Sequence, residues 1–453
     1  MRLLFPHIVS LPVGGDVRAQ RISRGAANSW FARGTATAHS GAMIRLHRLI
    51  APLALALAAA IAVPVLAHAA DDEGSPAAGS WRATADVKGA SIPFRLDISG
   101  SGDAVKATFF DGARPTNAAS EGSFHNGKLH LYFPSYAANL DATVVDGRLE
   151  GAYATPTRSI TVHGVKGAAP IAASGSAPAI GGEWIVPLKS EKGENAWRLI
   201  VKQTGASAEA AILRIDGDTG ALTGRYADGA FRLSHFAGER PGLLIATPGP
   251  DHTLKLTLDD LEGERTFTAV RPAVAARAGL APTDPTKHTT VQNKAEPFRF
   301  AFKDLNGKLV TNADARFRHK VVIVDVMGSW CPNCHDEAAF LQALYAKHHK
   351  DGLEVVSLAF EQADQLPDPK RLRAFIARYG LTFTVLLAGE PKDVNARLPQ
   401  AVKLNAWPTT FFLGRDGLVK ATHVGFTSPA SGPRDAETRR DVERQVEALL
   451  ARS

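Results

Sequence analysis

The chain has two cysteines, Cys331 and Cys334, three positions apart in the run Trp330-Cys331-Pro332-Asn333-Cys334. Two thiols at this spacing can exchange with a disulfide. One attacks as the thiolate, and the other then displaces the mixed disulfide by closing Cys331–Cys334. The competing readings are a structural bridge and half of a zinc site. Zinc requires two further ligands, and the chain has no other cysteine. The nearby histidines are His335, next to the pair, and His348 and His349, at the far end of the following helix. Residues 1–453 hold no Gly-rich phosphate loop, no Ser/His/Asp arrangement and no basic-aromatic patch, so a nucleic-acid partner is not expected.

The flanking elements decide which cysteine reacts. Residues 321–326 form a short, apolar, β-branched run that reads as a buried strand. Residues 334–349 carry Phe340, Leu341, Leu344 and Tyr345 at helical spacing. The pair therefore lies where a strand hands over to a helix, with Cys331 at the helix mouth. Free N–H groups and the positive dipole end favour the thiolate of Cys331 there. Cys334 follows one turn later as the resolving thiol. Pro332 suits the first helical position, where a missing N–H costs nothing.

This run resembles the active-site segment of thioredoxin-fold proteins, and more narrowly of TlpA/ResA-like thiol–disulfide oxidoreductases. The resemblance rests on Trp330, Cys331, Cys334 and Glu337, and on Asn405-Ala406-Trp407-Pro408-Thr409-Thr410 followed by Gly414-Arg415-Asp416-Gly417. It covers roughly residues 297 to 450. It implies a redox-active disulfide Cys331–Cys334 with no other cofactor and no metal. Asp325 matches the buried carboxylate that takes the proton of Cys334, or it is a partly solvated strand-end acid. Glu337, one turn after Cys334, either tunes the pair or is simply a favourable first-turn acid. Trp330 covers the disulfide. Pro408 is expected cis, presenting the backbone of Trp407 to a substrate strand. His335 and Asp336 read as solvent-facing residues of the first turn, and Glu361 lies just past a strand end. The implied partners are disulfide-bearing proteins, apocytochrome c among them, and a membrane thiol electron donor.

The net charge of +7 does not argue for a polyanion. Residues 1–69 carry seven arginines, no lysine and the single acid Asp16, so nearly all the excess lies there. That segment has the form of an export signal. It holds a basic stretch from Met43, an apolar stretch to about Val65, and the small-x-small site Ala67-His68-Ala69. We expect translation to start at Met43 and cleavage after Ala69, placing the protein in the periplasm or an equivalent compartment. A retained membrane anchor is the alternative. Such compartments are oxidising, and one isolated cysteine pair in them is catalytic or a lone bridge.

The expected architecture is an α/β thioredoxin-like domain at 297–453, preceded by two tandem all-β domains, each a small barrel or sandwich, at 75–166 and 180–272. Residues 273–296 read as a linker. Short alternating runs with turns at Asn126-Gly127 and Asp146-Gly147 mark the first β domain. Gly182-Glu183-Trp184 echoes Gly79-Ser80-Trp81, and Gly229 echoes Gly127 at nearly the same offset, which points to a duplication. Trp81 and Trp184 read as core residues. Two other functions stay open: a ligand-binding β pair with a metallochaperone or accessory thioredoxin-like domain, and a thiol peroxidase.

Overall fold

The structure is a computed structural model that describes residues 75–167 and 176–452. The expected leader and cleavage site lie outside the described residues. No helix among those described is long and apolar enough to cross a membrane.

The first β region is one nine-stranded antiparallel sheet. Its opening strand, Gly79–Val87, pairs with both Ala90–Ser99 and Arg158–Lys166. Trp81, Ala83, Ala85 and Val87 point inward at every second residue, as a half-buried strand requires. The sheet rolls on itself, with Val105 N–H donating to Gly122 O (3.2 Å) and Phe124 N–H to Gly102 O (2.8 Å). Two of its strands, Arg114–Ala118 and Glu121–His125, are polar and largely exposed, so no alternation betrays them in the sequence.

The second region is a like meander between Gly182 and Ala269. It closes where Ile185 and Val270 exchange backbone hydrogen bonds of 2.8 and 2.9 Å. Each region is thus a rolled meander and not a two-sheet sandwich. The two share local chemistry. Trp81 Nε1 donates to Ala77 O (2.7 Å) and Trp184 Nε1 to Ile180 O (2.8 Å). Asn126-Gly127 and Asp228-Gly229 both turn their hairpins with positive φ at the two central residues. Phe236 of the second barrel enters the aromatic core of the first, 5.0 Å from Phe94 and 5.4 Å from Tyr153.

Residues 273–296 do not form a free spacer. They include most of a short helix, Pro272–Arg277, that buries Ala275 against the second barrel, and the strand Thr290–Val291 pairs with Ala401–Val402.

The C-terminal sheet contains β1 (Ala301–Asp304), β2 (Leu309–Thr311), β3 (Val321–Met327), β4 (Leu353–Phe360), β5 (Thr384–Gly389), β6 (Thr409–Leu413) and β7 (Val419–Val424). Their order is β2-β1-β5-β4-β3-β6-β7. The strands β3, β4 and β5 run parallel, while β6 and β7 return antiparallel. Helices α1 (Pro332–His348), α2 (Lys370–Tyr379) and α3 (Pro433–Leu450) supply the crossovers and the final helix. Every residue of β3 is buried, because helices and loops cover both faces of a parallel sheet. This arrangement is the thioredoxin fold, and it puts the end of β3 and the start of α1 at one edge of the central strand.

Candidate active site

Cys331 is the N-cap of α1, with extended backbone, and Pro332 fills the first helical position. The Cys334 N–H points at Cys331 Sγ from 3.4 Å. Both thiols are free. The same N–H also donates to Cys331 O (3.1 Å), so the sulfur shares a hydrogen bond of the helix's first turn. Burial pushes the Cys334 thiol well above its ordinary range, and the neighbouring Cys331 and the charge of Asp325 push it further.

Asp325 lies on the same face of β3 as Ile323 and Met327, and those residues belong to the apolar cluster that contains both cysteines. It is buried. Ser357 Oγ donates to its Oδ2 (2.6 Å), and its Oδ1 has no hydrogen-bond partner. Burial raises its pKa to about 7, and the serine bond opposes the rise only in part. Such a carboxyl gains and loses a proton near neutrality. Glu337 is also buried, with Thr410 Oγ1 donating to its Oε1 (2.9 Å). Burial first, and then the charge of Asp325, holds it well above the usual carboxylate range. Thr410 is the β6 residue opposite Asp325 in the sheet register. One threonine thus links the two acids, lying opposite Asp325 in the sheet and bonding Glu337 on α1.

Trp330 Nε1 donates to Phe360 O (2.8 Å), and its ring meets that of Trp407 at 5.5 Å, edge to face. The Trp407–Pro408 peptide is cis. Pro408 O accepts from Gly425 N–H (2.8 Å), which ties the loop to the segment after β7.

The sequence does not disclose what holds Ser329, two residues before Cys331. Its N–H and Oγ both donate to Glu361, at 2.7 Å each. Arg371 on α2 donates to Glu361 (2.8 Å) and to Ser329 Oγ (2.9 Å). Glu361 is 0% exposed and Arg371 2%, so this is a fully desolvated pair, tolerated only because its other hydrogen bonds are made. Arg371 lies between Lys370 and Leu372 in an ordinary amphipathic run, and nothing in its spacing sets it apart. Glu361, whose strand-end position is legible, is the strut of the active-site loop.

His335 and Asp336 are not solvent residues. Burial drives the His335 pKa down to about 3, and the ring bridges Ser329 O (2.9 Å) and Tyr379 Oη (3.0 Å). Asp336 lies 3.5 Å from Arg240 of the second barrel, and burial raises its pKa to about 7 despite that partner. Both are covered because the β barrels sit on this end of α1. Asn333, between the two cysteines, donates to Asp216 O and accepts from Arg240. Gly217 forms a parallel bridge with Phe426. Gly425 comes so close that a Cβ there would stand 2.3 Å from Ile215 O. Asp218, which is completely buried, accepts from Ser428 N–H (2.7 Å) and Ser431 Oγ (2.5 Å). The turn Ile215–Asp218 is therefore wedged between the start of α1 and the segment that follows β7, and Cys331 is only 4% exposed.

Among the described residues, one group of three side chains could hold a metal ion, His348 with Glu443 and Glu447. It lies at the far end of α1, and Lys347 already bonds both glutamates.

A strand, a cysteine pair at a helix mouth and an opposed cis-proline loop make a domain of thioredoxin-like fold that resembles TlpA/ResA-like proteins. Residues 291–422 match the AhpC/TSA family. The chain is similar to the thiol-disulfide oxidoreductase ResA of Geobacillus kaustophilus, with 27% identity over 151 residues, 33% of this chain and 74% of that protein. It is also similar to ResA of Oceanobacillus iheyensis, with 30% identity over 101 residues, 22% of this chain and 47% of that one. Among solved structures it resembles a thiol:disulfide interchange protein of the thioredoxin family from Chlorobium tepidum, with 23% identity, a TM-score of 0.28 and coverage of 35% and 99%. StoA from Bacillus subtilis is another, at 20%, 0.24, 33% and 98%.

Proposed function

We propose that the protein is an exported thiol–disulfide oxidoreductase that reduces disulfides in partner proteins. The observation that carries this reading is the N–H of Cys334 directed at Cys331 Sγ, at a helix mouth, with both thiols free. The ResA relatives support the reaction class.

Cys331 Sγ, as thiolate, attacks one sulfur of the substrate disulfide. An S–S bond breaks, a mixed disulfide forms, and the other substrate sulfur leaves as a thiolate. Cys334 then gives its proton to Asp325, whose carboxyl titrates near neutrality, and attacks Cys331 Sγ. Cys331–Cys334 forms, and the second substrate thiol is released. Two electrons have moved from the pair to the substrate. An external dithiol, in our reading a membrane thiol donor, restores the pair, and apocytochrome c is a candidate substrate. Trp407, before the cis proline, would offer its backbone to the substrate strand, with Trp330 and Pro332 as the contact rim.

The test is reduction of insulin with dithiothreitol as the electron source. Wild-type protein accelerates precipitation of the insulin B chain. Cys331→Ser abolishes the acceleration, while Cys334→Ser traps a mixed disulfide visible by mass spectrometry. Equal activity in wild type and Cys331→Ser would end the proposal.

A further inference from the structure

The first and second barrels face one another across a cleft that the thiol chemistry does not use. It has a volume of about 760 Å³, within the usual size of small-molecule sites. Among the described residues, four arginines line it, Arg82 and Arg95 from the first barrel and Arg225 and Arg232 from the second, and no acidic residue does.

The strand register makes this placement costly. Arg82 lies directly opposite Arg95, and Arg225 directly opposite Arg232. Like charges opposite one another on neighbouring strands destabilise a sheet. Arg95 is offset by Asp97 at 2.8 Å, and its guanidinium also lies 4.1 Å over the ring of Phe110. Arg225 Nε donates to Ser207 Oγ (3.2 Å), a neutral partner. Arg82 Nε is buried with no hydrogen-bond partner. Glu209, whose carboxylate lies beside Gly112, is engaged by Lys202 at 3.2 Å. The rest of the lining mixes polar residues such as Ser91, Ser207, Ser234 and His235 with apolar surface from Phe110 and Leu243. Two like-charge pairs beside apolar surface are a poor arrangement for an empty surface. They complement one kind of molecule, which carries a compact negative group on an apolar body.

We propose that this inter-barrel cleft binds an acidic amphiphile, with a carboxylate or phosphate held between the two arginine pairs and the apolar part against Phe110 and Leu243. Binding here is independent of the cysteines, so Cys331→Ser retains it, and the site stands or falls apart from the redox reading.

The test titrates the full chain by calorimetry with decanoate, decyl phosphate, inorganic phosphate and decanol. Decanoate and decyl phosphate are expected to saturate one site, while phosphate and decanol bind at least tenfold more weakly. The double variant Arg82→Gln/Arg232→Gln should lose tenfold or more, and Lys128→Gln on a distant strand should lose nothing. Ser234→Trp keeps all four arginines but fills the cleft, and it should block binding while leaving the circular dichroism and melting midpoint unchanged. No saturable binding, or equal binding in these variants, overturns the proposal. So does binding to phosphatidylglycerol vesicles without binding of the monomeric amphiphiles, which would assign the arginines to a membrane surface.

Discussion

Arg240 of the second barrel donates a hydrogen bond to the side-chain oxygen of Asn333, the residue between the two cysteines. The same arginine bonds Asp218 O and lies 3.5 Å from Asp336. A β barrel is thus latched to the start of the helix that positions the thiols, and Cys331 and Cys334 are 4% and 2% exposed beneath this cover. A protein disulfide cannot reach a sulfur so enclosed unless the contact opens.

The rate at which Cys331 reacts with iodoacetamide should therefore depend on the barrel contact. Arg240→Ala removes the two bonds that cross it, to Asn333 and Asp336, and Gly217→Ala attacks it from another side. At Gly217 the φ is +118°, and a Cβ would stand 2.0 Å from Phe426 O, so the turn must lift away. Each 1.4 kcal/mol lost from the closed state enlarges the open population tenfold. On that scale both variants should speed alkylation on the order of tenfold or more. A rate equal to wild type in both would show that the barrel does not control access.

The buried carboxyl of Asp325 sets a second expectation. Its folded pKa, about 7, lies above the ordinary carboxylate value because of burial. The native state therefore keeps this proton through a range where the unfolded chain has lost it. Its contribution is fully present below about pH 4 and is lost as pH rises through about 7. Asp325→Asn keeps an acceptor for Ser357 and has no charge to bury. It should match wild type near pH 4 and be the more stable by roughly 2–4 kcal/mol above pH 7, from about three pKa units at 1.36 kcal/mol each. The same variant should slow release of the mixed disulfide if, as proposed, Asp325 takes the proton of Cys334. Urea melts across pH 4–8 and single-turnover insulin reduction would check both; parallel stability curves for the two proteins would refute the assignment.

Particular elements show how far the sequence could be read. The β-branched run of β3 and the apolar spacing of α1 are local patterns, and they mark both elements to within a residue or two. Trp81 and Trp184 betray the repeat because each stands third in a strand that opens on a glycine. The stretch at 273–296 misleads because its Ala/Pro/Thr composition looks like spacer, although Thr290–Val291 pairs with a strand more than a hundred residues away. His335 and Asp336 misread for a related reason. A first-turn position predicts solvent only when no other domain covers the helix end, and no local pattern announces Arg240 or Tyr136, whose ring lies 5.1 Å from that of His335, against that end. Asp325 and Glu337 are visible as acids beside the pair, but their burial with Ser357 and Thr410 depends on sheet register.

The strut under the active-site loop yields the last expectation. Glu361 and Arg371 are both buried, and Ser329 hangs on both. Arg371→Met removes the cation and leaves the Glu361 carboxylate desolvated without its partner. Breaking a buried pair in this way costs about 3–5 kcal/mol. For a domain of this size that lowers the melting midpoint on the order of 10 °C. The charge-free pair Glu361→Gln/Arg371→Met should regain most of that loss, because the cost lies in the stranded charge. It should not regain full activity, since Ser329 then has one weak anchor and the backbone ahead of Cys331 is free to shift. Calorimetric melting and insulin reduction on the two variants separate these effects. If Arg371→Met melts with wild type, the pair carries no weight in the fold, and the loop before Cys331 must be held by Trp330 and Phe360 instead.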